Sequence, residues 1–260
     1  MSVLQRILDQ KQADVAALKA LRLPAPPPRR PVALERVPGE PLRLITEIKR
    51  RSPSAGALST VLSVAKRAAA YERAGASMIS VLCDPTFFDG AFQHLGEARA
   101  ACGLPLLCKE FVIDEVQLDA ARAFGADAVL IIVRCLTGRR LDELVAAARE
   151  RELEPFVEVT NLEESERALG AGARLVGVNA RDLDTLVMDP NRARQVLEAL
   201  PPGVVRAHFS GIASAEAVAS VAAGSAHAAL IGEALMRKDD PEPLLRELVS
   251  AAARRENSLV

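Results

Sequence analysis

Two hydrophobic rhythms alternate along the chain. Short β-branched and apolar runs are separated by longer segments in which Leu, Ala and Val return every third or fourth position. The runs predict strands at Leu42–Lys49, Met78–Leu82, Leu106–Lys109, Ala128–Val133, Glu154–Val159, Leu175–Asn179, Val204–Phe209 and Ala228–Ile231. An amphipathic helical pattern follows each of the first seven, and another follows Pro241. Strict alternation of eight strands with eight helices is the count of a (β/α)8 TIM barrel, in the α/β class. A doubly wound sheet usually needs fewer strands, and no G-x-G-x-x-G follows the first run.

Ahead of this rhythm, Leu4, Ile7, Leu8, Val15 and Leu18 fall at helical spacing, predicting an additional N-terminal helix over Val3–Lys19. Pro24, Pro26, Pro27, Pro28 and Pro31 stop that helix and predict an extended connector. Residues 1–40 therefore read as a helix and Pro-rich connector packed on the barrel, and 41–260 as the barrel itself, a single catalytic domain. Gly75, Gly125, Gly172 and Gly224 recur about every 50 residues, each expected just past a helix end, so the chain resembles four quarter-barrels.

Composition narrows the function classes. Half the residues are hydrophobic but only 3% are aromatic, so Ala, Leu, Val and Ile must build the core. A net charge of −1, from 33 Lys+Arg against 34 Asp+Glu, argues for neither nucleic acid nor a membrane surface as partner. Cys83, Cys102, Cys108 and Cys135 form no C-x-x-C pair, which argues against zinc and against a disulfide framework. The N-terminus lacks the apolar region of a signal peptide and no run is long enough to span a bilayer, so the protein is expected in the cytoplasm.

The chemistry is expected where barrel strands end. Glu47 and Lys49, two apart on the first strand, share one face. Taken alone, Glu47-Ile48-Lys49-Arg50-Arg51 reads as a solvated charge run, as most charged residues are exposed. However, Lys109-Glu110, Glu158, and Asn179 with Arg181 and Asp182 end the third, fifth and sixth strands. Such convergence offers acids and bases whose protonation neighbours can tune. The solvated reading then survives only for Arg50 and Arg51. After the seventh and eighth strands, Ser210-Gly211 and Gly232-Glu233 put small residues where barrels hold a phosphate, with Ser52 and Ser54 as added donors. Glu233 would repel that phosphate unless its side chain points away.

These segments spell out blocks: E-I-K-R-R-S-P-S at Glu47–Ser54, I-S-V-L-C-D-P-T-F-F-D-G at Ile79–Gly90, K-E-F-V-I-D at Lys109–Asp114, V-E-V at Val157–Val159, G-V-N-A-R-D-L at Gly177–Leu183, S-G-I at Ser210–Ile212 and I-G-E-A-L-M at Ile231–Met236. Over essentially its whole length the chain resembles indole-3-glycerol-phosphate synthases of tryptophan biosynthesis. The resemblance implies that 1-(2-carboxyphenylamino)-1-deoxyribulose 5-phosphate closes to an indole with loss of carbon dioxide and water. It implies no metal or organic cofactor, a phosphorylated small molecule as partner, and a monomer or weak homodimer.

By the same resemblance, Lys109 protonates the ketose carbonyl, and Glu158 and Lys49 serve the later dehydration. Glu47 and Asn179 would position Lys109 and the substrate hydroxyls. Arg181 and Lys49 would meet the anthranilate carboxylate, with Phe88 against the ring. Ser52, Gly211 and Gly232 would hold the phosphate, with Ser210 and Glu233 beside it. Three positions depart from the family pattern: Phe209 where Glu is usual, Glu110 for Asp, and Ala234 for Ser. Phe209 raises an alternative, a phosphate-binding paralogue of reduced or altered activity.

Overall fold

A computed structural model describes residues 2–253 apart from Pro38. Met1 and Pro38 of the lead-in, and 254–260 of the expected barrel segment, lie outside the described residues. Eight parallel strands close a barrel: β1 (Arg43–Ile48), β2 (Met78–Leu82), β3 (Leu106–Lys109), β4 (Ala128–Ile132), β5 (Glu154–Val159), β6 (Leu175–Asn179), β7 (Val205–Phe209) and β8 (Ala228–Ile231). Closure runs from Arg43 opposite Ala228 to Thr46 opposite Ile231. Three strands are shorter than expected, because the end residues spend their hydrogen bonds elsewhere. The Leu42 N–H donates to Ala252 O, the Val204 N–H turns back to Pro201 O, and Val133 begins a 3-10 turn.

Helices α2 (Val64–Arg73), α4 (Phe92–Ala101), α5 (Glu115–Ala123), α6 (Arg140–Glu150), α7 (Leu162–Gly170), α8 (Pro190–Ala199), α9 (Ala215–Ala223) and α11 (Glu242–Ala252) follow the strands in turn. Two four-residue helices, α3 (Pro85–Phe88) and α10 (Glu233–Met236), sit in the loops after β2 and β8. Ser63, Asp114, Asn161, Asp189 and Ser214 cap helix starts through their side-chain oxygens, satisfying N–H groups that the helix cannot. Gly75, Gly125 and Gly172 take left-handed backbone just past their helices, as expected. Gly224 differs: it is itself the cap residue of α9, in extended backbone, with its N–H closing on Val221 O.

The period of two splits the apolar residues into two cores. Outward positions such as Leu44, Ile79, Val81, Val129 and Val176 pack under the helices. Inward positions such as Ile45, Met78, Leu130, Phe156, Leu175 and Phe209 fill the barrel. The N-terminal helix α1 (Val3–Lys19) adds Leu4 and Ile7 to this inner core, so it lies over the end of the barrel where the strands finish. Its connector then runs to the opposite end. There the Arg30 N–H donates to Asp127, at the foot of β4, at 2.6 Å, and Arg122 donates to Pro27 O at 2.7 Å. Among the described residues no helix is long and apolar enough to cross a membrane.

Candidate active site

At the C-terminal ends of the strands a cavity of about 380 Å³ opens into the barrel. Lys109, Glu158, Lys49, Glu47, Asn179, Arg181, Phe88, Ser210, Ser52, Gly211, Gly232 and Glu233 all line it. The structure thus brings every expected site residue to one mouth. Arg51 is exposed as expected, whereas Arg50 is only partly exposed and reaches Asp89 at 3.4 Å.

Two ion pairs face the cavity. Lys49 Nζ lies 2.7 Å from Glu47 Oε1, and Lys109 Nζ donates to Glu158 Oε2 at 3.2 Å. Both differ from the expectation that Glu47 and Asn179 position Lys109. On one strand, residues two apart present the nearest opposite charges, so Glu47 takes Lys49. The barrel stagger sets β3 and β5 so that Lys109 meets Glu158. Asn179 Nδ2 donates to the other Glu158 oxygen at 3.0 Å, and its own Oδ1 accepts the Arg181 N–H at 3.0 Å. Burial pushes the Glu47 carboxyl up, but Lys49 and then Lys109 outweigh it and hold it below the ordinary carboxylate range.

Below the lysine, Phe209 presents its ring face 4.9 Å from Lys109 Nζ, a cation–π contact. The ring also leans on Phe156, with centroids 5.1 Å apart, and lies across Gly177, where a Cβ would come 2.5 Å from it. Only a glycine at 177 leaves this space. Phe209 is therefore part of the cavity floor.

The small-residue turns have their own geometry. Ser210 and Gly211 take φ of 70° and 82°, a left-handed pair that reverses the chain sharply after β7. For Ser this conformation is strained, and such strain concentrates at functional sites. His208 Nε2 donates to Ser210 O at 3.1 Å and holds the turn. Gly232 passes so close to Glu47 that a Cβ would meet its carboxylate. Ser52 Oγ accepts the Ala55 N–H at 3.1 Å within a small hairpin of Arg51–Ser52 and Gly56–Ala57. Glu233 pairs with Arg237 at 2.7 Å, which offsets the charge that raised the caution about a nearby phosphate.

Several lining or supporting residues were not singled out in advance. Leu4, Ile7 and Arg237 line the cavity. Arg134 ties three loops together, donating to Thr160 (2.6 Å), Glu164 (2.8 Å) and Asp182 (2.6 Å), next to Arg181. Against the upward push of burial, Arg134 and Thr185 hold the Asp182 carboxyl well below the usual range. Asp84 caps α3 by accepting from the N–H groups of Phe87 (2.6 Å) and Phe88 (3.2 Å), which sets the Phe88 ring at the cavity edge. Gly90 closes the same loop, and a Cβ there would meet the carbonyl groups of Leu82 and Asp84. Gly90→Ala is expected to cost about 1–3 kcal/mol by overpacking. The check is a denaturant melt of the variant, with the midpoint displaced and the slope kept.

The model of the indole-3-glycerol phosphate synthase family matches residues 4–248. The chain belongs to the indole-3-glycerol phosphate synthase family. An indole-3-glycerol phosphate synthase from an Exiguobacterium species is 41% identical over 248 residues, 95% of this chain and 96% of the relative. The Micrococcus luteus enzyme of that name is 41% identical over 264 residues, 97% and 98% of the two chains. Among solved structures, thiamine phosphate pyrophosphorylase from Pyrococcus furiosus matches with a TM-score of 0.62 at 19% identity, over 81% of this chain and 95% of that one. KGPDC from Streptococcus mutans matches with 0.64 at 11% identity, over 82% and 98%. These two likenesses show the fold alone.

Membership in the indole-3-glycerol phosphate synthase family makes the protein a carboxy-lyase of tryptophan biosynthesis. The reading of an altered paralogue, which rested on Phe209, finds no support in these relatives.

Proposed function

We propose that this mouth carries out indole-3-glycerol phosphate synthesis with Lys109 as the general acid of ring closure. The observation that carries the reading is the pairing of two ammonium–carboxylate couples over one cavity, Lys109 with Glu158 and Lys49 with Glu47. The anilino ring carbon attacks the ketose carbonyl, and Lys109 gives its proton to the carbonyl oxygen as the carbon–carbon bond forms. Carbon dioxide then leaves from the same ring carbon, and the electron pair of the broken bond restores aromaticity. Glu158 removes a proton and Lys49 protonates the departing hydroxyl, so one water is lost. Proton transfer through positioned groups contributes about 100-fold to 10,000-fold to such steps.

Binding follows from the same walls. The left-handed Ser210-Gly211 turn, Gly232 and Ser52 receive the phosphate, with Arg237 set against Glu233. Phe88 meets the anthranilate ring, and Arg181 and Lys49 meet its carboxylate. The reading places the enzyme in the cytoplasm, as a monomer or weak homodimer acting on a phosphorylated small molecule.

The test is a ring-closure assay with the purified full chain and 1-(2-carboxyphenylamino)-1-deoxyribulose 5-phosphate. Indole fluorescence is expected to rise with one carbon dioxide released per indole formed. Substrate that stays unconverted over hours at micromolar enzyme would overturn the assignment.

A further inference from the structure

Lys11 interrupts an otherwise apolar stripe on α1. It lies between Ile7 and Val15 on the buried face of the helix and is 1% exposed. Its ammonium has three carboxylates around it. It donates to Asp14 on its own helix at 2.8 Å, and it stands 2.7 Å from Asp84 Oδ2 and 3.0 Å from Glu110 Oε1. The Asp84 approach is a charge contact outside hydrogen-bond geometry, and that oxygen has no other protein partner. Asp84 and Glu110 are themselves buried, at 0% and 3% exposed.

The two carboxylates stand at consequential places. Asp84 uses its second oxygen to cap the helix that carries Phe88. Glu110 follows Lys109 directly, and its Oε1 also accepts the Phe111 N–H at 2.7 Å. Phe111 in turn packs on Phe88, with centroids 6.0 Å apart, in the same apolar cluster as Leu4 and Ile7. One ammonium therefore joins the helix over the mouth, the loop that presents Phe88, and the strand end that presents Lys109.

We infer that Lys11 is a positioning residue, whose buried ion contacts with Asp84 and Glu110 fasten the N-terminal helix over the mouth and hold Phe88 and Lys109 in fixed relation. The inference deepens the proposed function and rests on it for the identity of the substrate. It also accounts for Glu110, whose carboxylate is turned to α1. Burial pushes the Glu110 carboxyl up to about 7, Lys11 pulls against that rise and Asp84 adds to it. Without the ammonium, only backbone N–H groups of Phe87, Phe88 and Phe111 offset the two buried carboxylates in this cluster.

The test compares the full-length wild type with Lys11→Met and with a combined Lys11→Met, Asp84→Asn, Glu110→Gln variant. The combined variant keeps side-chain volumes and leaves neither Asp84 nor Glu110 as a buried, unpaired carboxylate, so it stays informative if the single variant fails to fold. Steady-state ring closure and amide hydrogen exchange of residues 3–19 are read on each. KM for the ketose phosphate is expected to rise about tenfold in the combined variant, the worth of one lost apolar or aromatic contact to a ligand. Turnover at saturation should fall as well, because Lys109 acts in the transition state and loses its fixed place, so KM and kcat move together. Exchange in α1 should quicken while the strands stay protected. A merely structural role would shrink the active fraction, lowering kcat at unchanged KM. Wild-type KM with wild-type exchange in α1 would overturn the proposal. If the wild type itself does not convert the substrate, the assigned reaction fails, and the exchange of α1 alone decides the clamp.

Discussion

Lys109→Met is expected to lower kcat for ring closure by about 100-fold to 10,000-fold, the range a positioned general acid supplies. Met keeps the length and the apolar stem of the side chain, and its sulfur packs well against the Phe209 ring that now faces the ammonium. The barrel floor is therefore preserved while the proton source is removed. Glu158 keeps its hydrogen bond from Asn179, so the loss falls on the chemical step more than on the shape of the site. KM is expected to change far less than kcat, the signature of an interaction made mainly in the transition state. Stopped-flow indole fluorescence under single turnover checks this directly. A kcat within about tenfold of the wild type would remove Lys109 from the role.

Phe209→Ala is expected to cost about 3 kcal/mol, the low end for deleting a buried aromatic ring, because part of the space opens to the cavity. For a chain of this size the melting temperature then falls by roughly 6–12 °C. The ring is 1% exposed, lies against Phe156 and fills the room left by Gly177. It also supplies the face below Lys109, so kcat should drop with stability. Calorimetry and steady-state kinetics on the same preparation separate the two effects. A melting temperature within about 2 °C of the wild type would show that the ring is not part of the core.

Much of this site was legible because a barrel assigns chemistry to strand ends. Once the eight β-prone runs are counted, Glu47, Lys109, Glu158 and Asn179 must share a mouth whatever their partners. Partner choice was not legible, since it depends on the strand stagger. The sequence places Glu47 two residues from Lys49 and says nothing about whether Lys109 meets Glu47 or Glu158. Helix ends show the same limit. Gly75, Gly125 and Gly172, each followed by Ala, behave as a shared pattern predicts, while Gly224, followed by Ser225, takes a different backbone. The seat of α1 was hidden for another reason: an amphipathic stripe states that a face is buried, not against what. Lys11 occupies a core position of that stripe, and only the structure shows that it meets carboxylates there.

The position of α1 also bears on how the chain assembles. Lys19 pairs with Asp114 across 95 positions, and Asp84 and Glu110, which face Lys11, sit in loops after the second and third strands. The helix leaves the ribosome ahead of every barrel strand and thus has no dock until the third strand has emerged. A lone helix of this length is marginal in water, so its apolar stripe waits uncovered while the barrel forms. A segment made ahead of the barrel thus covers part of the mouth only after the third strand is in place.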